Sequence, residues 1–165
     1  MKLSRTTGIF LLIAFNIAID QISKIIVRAN ISPRERINVI GDTFLMMNVE
    51  NTGAFLGMGS DMNPTLKLIF LLVLPVGVLG YLVYYIISNK SLDRLSLVAL
   101  CCIAGGGIAN VFDRIAFGSV TDFFYIHLTD LLRTGIFNVA DMSVTFGMIV
   151  LLFSSFFGKT KKQIV

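Results

Sequence analysis

Charge is scarce in this sequence: 15% of its 165 residues are Asp, Glu, Lys or Arg, while 55% are hydrophobic. With a mean hydropathy of +0.82, that composition excludes an ordinary water-soluble domain and points to a membrane protein. Histidine is nearly absent. His127 stands alone in an exported loop, so no serine or cysteine has a plausible histidine partner, and with no second ligand beside it a zinc signature is missing. Cysteine is limited to Cys101 and Cys102, adjacent within an apolar run. This rules out a disulfide framework or metal-binding spacing and leaves the pair as small packing residues. No segment repeats and none is low in complexity.

What the chain does have is apolar length. Gly8 to Val27, Leu66 to Ile87, Leu95 to Val111 and Phe137 to Phe157 each approach the roughly 17 to 25 residues needed to cross a bilayer core. Four spans leave little room for a soluble domain, so residues 1–165 are read as one integral membrane unit. The first run passes through Asp20 and Lys24 without a small-residue cleavage pattern, which favours a retained helix over a signal peptide. If the helices alternate, Lys2, Arg5, Lys90, Arg94, Lys159, Lys161 and Lys162 share one side. Positive charge in short connections marks the cytoplasm, so both termini are expected there. The net charge of +4 then needs no nucleic acid to explain it.

The first exported connection reads partly as β: Ile37 to Ile40 and Phe44 to Val49 are β-prone runs separated by Gly41-Asp42. Asn51 to Gly57 suits a turn, and Asp61 to Pro64 leads into a second span whose only ionisable group near its start is Lys67. That span is read as scaffold. Together these features predict an all-α, four-helix membrane bundle carrying a small β-rich extracytoplasmic platform between helices 1 and 2.

Polar residues gather at the exported end. Asp20 and Lys24, four apart, share a helix face extended by Asn16 and are read as a structural ion pair. Gly105 to Gly107 permit close helix packing ahead of Asn110, Asp113 and Arg114, which are spaced to share a face. Asn138 and Asp141 share a face at the start of the fourth helix, and Asp122 lies in the loop before it. Asn110 and Asn138 fit either interhelical hydrogen bonding or a site, and Arg114 with Asp113 fits an interface anchor. None of these readings explains Asp122 and Asp141, two membrane-edge carboxylates with no obvious cation of their own.

Two carboxyl groups close together share one proton, because both cannot ionise cheaply. One is then a base that activates water and the other an acid that polarises a carbonyl, so peptide hydrolysis is the natural reaction. The alternative is a proton- or ion-coupled transporter, but the acids crowd one face with no relay across and no inverted repeat is visible. A structural or assembly factor would not need the two acids at all.

Five blocks in order, Asp20-Gln21-Ile22-Ser23-Lys24, Asn51-Thr52-Gly53-Ala54, Gly105 to Arg114, Val120-Thr121-Asp122-Phe123 and Phe137-Asn138-Val139-Ala140-Asp141, resemble lipoprotein signal peptidase, or signal peptidase II. The resemblance implies a bacterial inner-membrane aspartic endopeptidase that cuts prolipoproteins before a diacylglyceryl-modified cysteine. Asp122 and Asp141 would be its catalytic dyad, with Asn51, Gly53, Asn110, Arg114, Asn138 and Ala140 shaping the substrate site and Asp20, Lys24 and Asp113 supporting it. It implies no metal or organic cofactor. The expected partners are the lipid-modified substrate and membrane lipids, and the expected state is a monomer with its active site on the extracytoplasmic face. The chain departs from the family pattern at Ala109, where glycine is frequent, and at Phe55-Leu56. Presenilin-type proteases place their second aspartate after Gly-x-Gly, whereas Asp141 follows Val139-Ala140.

Overall fold

A computed structural model describes residues 3–54 and 57–157, so Lys2, Phe55-Leu56, Lys159, Lys161 and Lys162 lie outside the described residues. The described elements are helix α1 (Arg5–Asn30), strands β1 (Arg36–Ile40) and β2 (Phe44–Asn51), helix α2 (Pro64–Ser88), helix α3 (Arg94–Phe117), strand β3 (Val120–Ile126) and helix α4 (Val139–Phe157). Helices α1, α2 and α3 are long and apolar enough to cross a membrane, and Val139–Ser154 is a shorter apolar stretch.

Burial is inverted relative to a soluble protein. On α1 the buried residues are Ile9, Ile13, Asp20, Lys24 and Val27, a single stripe at helical spacing. Phe15 and Ile25 on the other side are both 61% exposed. Such a helix hides its charges and shows its hydrocarbon, the arrangement a lipid solvent selects.

Local chemistry sets the ends. Ser4 caps α1 by accepting the Thr7 N–H, Asn63 caps α2 with Pro64 in its first turn, and Asp93 caps α3 by accepting from Leu95 and Ser96. Helix α3 runs six residues beyond the expected end at Val111. It stops at Gly118, whose φ of 78° supplies the left-handed residue that closes a helix. Within α2, Leu68–Val73 widens to a π-helical turn just before Pro75, a residue with no N–H to give a regular ladder. Arg5 donates to the carbonyl oxygens of Ile86, Ile87 and Asn89, so the start of α1 and the end of α2 lie together.

The three consecutive glycines bring three different helices onto α3. A Cβ on Gly105 would meet Asn16 and Ile13 of α1, one on Gly106 would meet Ala140 and Val144 of α4, and one on Gly107 would meet Leu79 of α2. Cys101 is buried with Ile9, Ile13, Ile86 and Ala104, in keeping with a packing role.

The β prediction needs one correction. The sheet has three antiparallel strands in the order β1-β2-β3, and its third strand comes from the connection between α3 and α4. Asp122 therefore sits in a strand, not in a loop, and the platform is not confined to the segment between the first two helices. The sequence Val120-Thr121-Asp122-Phe123 hides this strand because it lacks alternation: all four residues are buried. Phe123 packs against Val27 of α1 and Ile31 just past its end, with Met46, Phe124 and Val139 around them.

Candidate active site

The site is built where β3, α3 and the start of α4 converge. Phe137 pairs with Phe124 of β3 through N–H to carbonyl bonds of 2.8 and 2.9 Å, which places the next residue, Asn138, beside Asp122. Asn138 then caps α4. Its Oδ1 accepts the Asp141 N–H at 2.9 Å while Asp141 Oδ2 accepts the Asn138 N–H at 3.1 Å, a reciprocal capping box. Asp141 is thus fixed in the first turn of a helix, where unpaired N–H groups favour an anion.

Each oxygen of the two carboxylates receives one N–H. Asp122 Oδ1 accepts from Asn138 Nδ2 at 2.6 Å and Asp122 Oδ2 from Asn51 Nδ2 at 2.8 Å. Asn51 lies opposite Val120 in the β2–β3 register, so Asp122 is its diagonal neighbour on the same face. Asp141 Oδ1 accepts from Asn110 Nδ2 at 2.9 Å, and its Oδ2 takes the backbone bond already described. All four donors are neutral. Among the described residues no cation forms a salt bridge with either carboxylate. Burial therefore dominates at Asp122 and, with the nearby Asp141 carboxyl, pushes its proton affinity up to about 7 against the opposing Asn51 and Asn138 hydrogen bonds.

Both aspartates face a cavity of about 660 Å³ also lined by Asn51, Asn110 and Arg114. From Asp141 it follows Val144, Met148 and Leu152 along one face of α4, so a polar end opens into an apolar trough. That is the size and character of a site for a partly apolar ligand.

The support network is separate. Lys24, fully buried, lies 2.6 Å from Asp20 Oδ2 and 2.7 Å from Asp113 Oδ2, and it donates to Asn110 Oδ1 at 3.0 Å. Asp20 Oδ1 accepts the Ala140 N–H at 2.8 Å, tying α1 to the first turn of α4. Ala140 takes part through its backbone: its N–H is the contact with Asp20, and its carbonyl lies against Gly106. Asp113 is not an interface anchor beside Arg114, for it points to α1 and meets Lys24 and Arg28. Arg114 points to the cavity side and donates to the carbonyls of Gly53 and Asn110. Neighbours in sequence are about 100° apart on a helix, so Asp113 and Arg114 serve different faces.

Several participants escaped the sequence reading. Gln21 bridges Asp20, Asp113 and the Ala109 carbonyl. Thr121 donates to Glu50 while accepting from Arg28, whose guanidinium also stacks 4.1 Å from the Phe117 ring, so the strand bearing Asp122 is tied to α1 and to the end of α3. Ser143 donates to Asn16 and to the Cys102 carbonyl, joining α4 to both α1 and α3. Only Gln21 and Thr121 gave a signal, lying next to Asp20 and Asp122. His127 meets Asp130 at 3.6 Å, and no group of metal ligands occurs among the described residues.

A family model described as Signal peptidase (SPase) II matches residues 12–157. The chain belongs to the signal peptidase II family. Lipoprotein signal peptidase of Moorella thermoacetica is 37% identical over 143 residues, 86% of this chain and 89% of that one. The one from Borrelia hermsii is 32% identical over 163 residues, covering 96% and 95%. A bacterial membrane enzyme solved by the in meso method at 2.3 Å resolution superposes with a TM-score of 0.82 at 25% identity, over 96% of this chain and 93% of that one. A second, solved the same way at 1.9 Å, gives 0.74 at 26% identity over 89% and 91%. Membership of the signal peptidase II family makes the chain a protease, and its apolar helices fit a bacterial membrane.

Proposed function

We propose that this member of the signal peptidase II family is an aspartic endopeptidase of the bacterial inner membrane, and that it removes signal peptides from prolipoproteins by cutting before a diacylglyceryl-modified cysteine. The observation that carries the reading is the pair Asp122 and Asp141, their four oxygens held by neutral N–H donors at the polar end of one apolar trough.

At neutral pH the pair holds one proton, since Asp122 keeps its own to about pH 7. The ionised carboxylate takes a proton from a water as the water oxygen attacks the scissile carbonyl carbon, and the protonated carboxyl donates to the carbonyl oxygen. Collapse breaks the C–N bond, and the proton taken from water goes to the departing amine. No covalent adduct forms. The amide donors hold the carboxylates in place without a cation that would fix both in the ionised form.

Helices α1 to α4 would form a four-span single domain with both termini cytoplasmic, acting as a monomer without metal or cofactor. The substrate's acyl chains would lie along the trough in the leaflet nearest the dyad. Each buried CH₂ contributes about 0.8 kcal/mol, so lipid supplies selection for the modified cysteine over bare peptide. Arg114 holds the Asn51 to Gly53 turn through the Gly53 carbonyl and meets a polar substrate group at the mouth of the site.

Cleavage of a lipidated prolipoprotein by Asp122→Asn and Asp141→Asn tests the dyad. Both variants are expected to fold and to lose activity, and near-wild-type turnover by either folded variant would falsify the reading. Arg114→Ala is expected to weaken apparent substrate affinity; unchanged affinity and turnover would remove Arg114 from the substrate contact.

A further inference from the structure

The connection from β3 to α4 closes into a hairpin between His127 and Arg133, with Leu128 N–H donating to the Leu132 carbonyl at 2.9 Å and Leu132 N–H to the Thr129 carbonyl at 3.0 Å. Its tip is apolar and bare: Leu131 is 95% exposed, Leu128 64% and Leu132 63%. Three leucines on one short turn are an unfavourable surface in water and mark a contact with something apolar. Arg133, next in sequence, lines a groove of about 520 Å³ that reaches Asp141 and whose apolar lining includes Phe137, Met142, Phe146 and Ile149. Met142, Phe146 and Ile149 are each about half exposed on α4, so the groove continues the lipid-facing side of a membrane helix.

We propose that this hairpin is a lipid-inserted anchor: Leu128, Leu131 and Leu132 enter the acyl boundary of the leaflet on the dyad's side, with Arg133 at headgroup level. Two observations choose lipid over a protein partner. The leucine tip runs directly into Arg133, which lines the groove along the half-exposed apolar side of α4, and three residues fall far short of the roughly 800 Å² per partner that a stable protein interface buries. Arg133 has the reach to lie its stem on apolar surface and its guanidinium among phosphates. Asp130 stands fully exposed at the tip near His127, which limits insertion to the boundary rather than the core.

The position of this hairpin gives the anchor a purpose. One arm is the strand carrying Asp122, and the other leads through Phe137 to Asn138 and Asp141. A tip held at fixed depth therefore holds both carboxylates at fixed height relative to the leaflet, where a lipid-linked peptide bond must meet them. This consequence rests on the peptidase reading, whereas insertion itself rests only on the membrane helices.

The chain contains no tryptophan, so Leu131→Trp creates a single reporter in the full-length protein. In proteoliposomes the expected result is blue-shifted emission, quenching by lipids brominated on the acyl chain near the headgroup, and protection from iodide. Red-shifted emission quenched by iodide alone would place the tip in water and overturn the anchor. Resistance to both quenchers would show a protein surface or a second copy covering the tip, and would equally overturn it. The combined Leu128→Ser, Leu131→Ser, Leu132→Ser variant is expected to raise the apparent KM for a bilayer-embedded lipidated substrate several-fold with kcat retained. An unchanged KM would refute the depth-setting role. Because fluorescence does not depend on turnover, loss of the peptidase reading would leave the insertion result standing.

Discussion

Replacing Lys24 by methionine removes the charge at the centre of the support network while keeping its hydrophobic stem. In the native chain the ammonium contacts the carboxylates of Asp20 and Asp113 at 2.6 and 2.7 Å, and both acids are fully buried. With Arg28 lying 3.6 Å from Asp113, the four side chains balance as two negative and two positive charges. Lys24→Met leaves two buried carboxylates with one guanidinium, which reaches Asp113 alone. Removing one partner of a buried pair costs about 3 to 5 kcal/mol, and two orphaned acids place this variant at the upper end. Asp20 retains the Ala140 N–H and a Gln21 contact, which keeps the loss from doubling.

A second effect reaches the site. An ammonium can only donate, so Asn110 must turn Oδ1 toward Lys24, and this aims Nδ2 at Asp141. Without Lys24 only the weaker Asn138 contact at 3.2 Å holds that orientation. The assay is reversible unfolding in mixed micelles, with cleavage of a lipidated substrate measured on the folded fraction. The expected pattern is a large loss of stability, a smaller loss of turnover per folded molecule, and partial recovery of stability when Asp113→Asn is added, because the neutral amide removes one orphaned charge. A double-mutant cycle reports the coupling directly. Stability of Lys24→Met within about 1 kcal/mol of wild type, the ordinary range of a surface ion pair, would refute the reasoning, as would a double variant no more stable than the single one.

Gly106→Ala inserts a methyl against the Ala140 carbonyl and Val144, so it is expected to cost about 1 to 3 kcal/mol and to lower turnover by shifting the first turn of α4; calorimetry and cleavage rates check both. For pH, Asp122 keeps its proton to about 7, so under the proposed mechanism the singly protonated pair would be lost as pH rises through that value. The profile of kcat/KM should fall about tenfold per unit on the alkaline side, and a profile flat to pH 9 would contradict the shared proton. Asn51→Leu removes a hydrogen bond that favours the Asp122 carboxylate, so its alkaline limb should move to higher pH; a limb that moves lower would reverse the sign of the argument.

The helices and the two membrane-edge aspartates that meet at one cavity were legible because lipid imposes a simple code: long apolar runs, interrupted by acids that need a reason to be there. The Asp20 and Lys24 pair was equally plain, since four residues bring one helix face round. What stayed hidden depended on long-range partners. Asp113 and Arg114 looked alike from spacing, and only the directions of α1 and of the Asn51 to Gly53 turn separate them. Strand β3 gave no alternating pattern because it is covered on both sides. The capping role of Asp20 on α4 joins residues 120 apart and has no local signature. The three glycines were legible as a packing device, yet not as three separate contacts with three helices.

The buried acids of this chain divide by the kind of donor each receives. Asp20 and Asp113 meet an ammonium, and their contacts hold α1, α3 and α4 together. Asp122 and Asp141 receive amide N–H groups only, which fix their position without setting a cation against either. Asn110 stands at the boundary, with its oxygen on Lys24 and its nitrogen on Asp141. It transmits the orientation set by the cation while keeping the full charge one side chain away from the dyad. An ammonium in its place would hold Asp141 ionised, and the one-proton exchange that peptide hydrolysis needs would be lost.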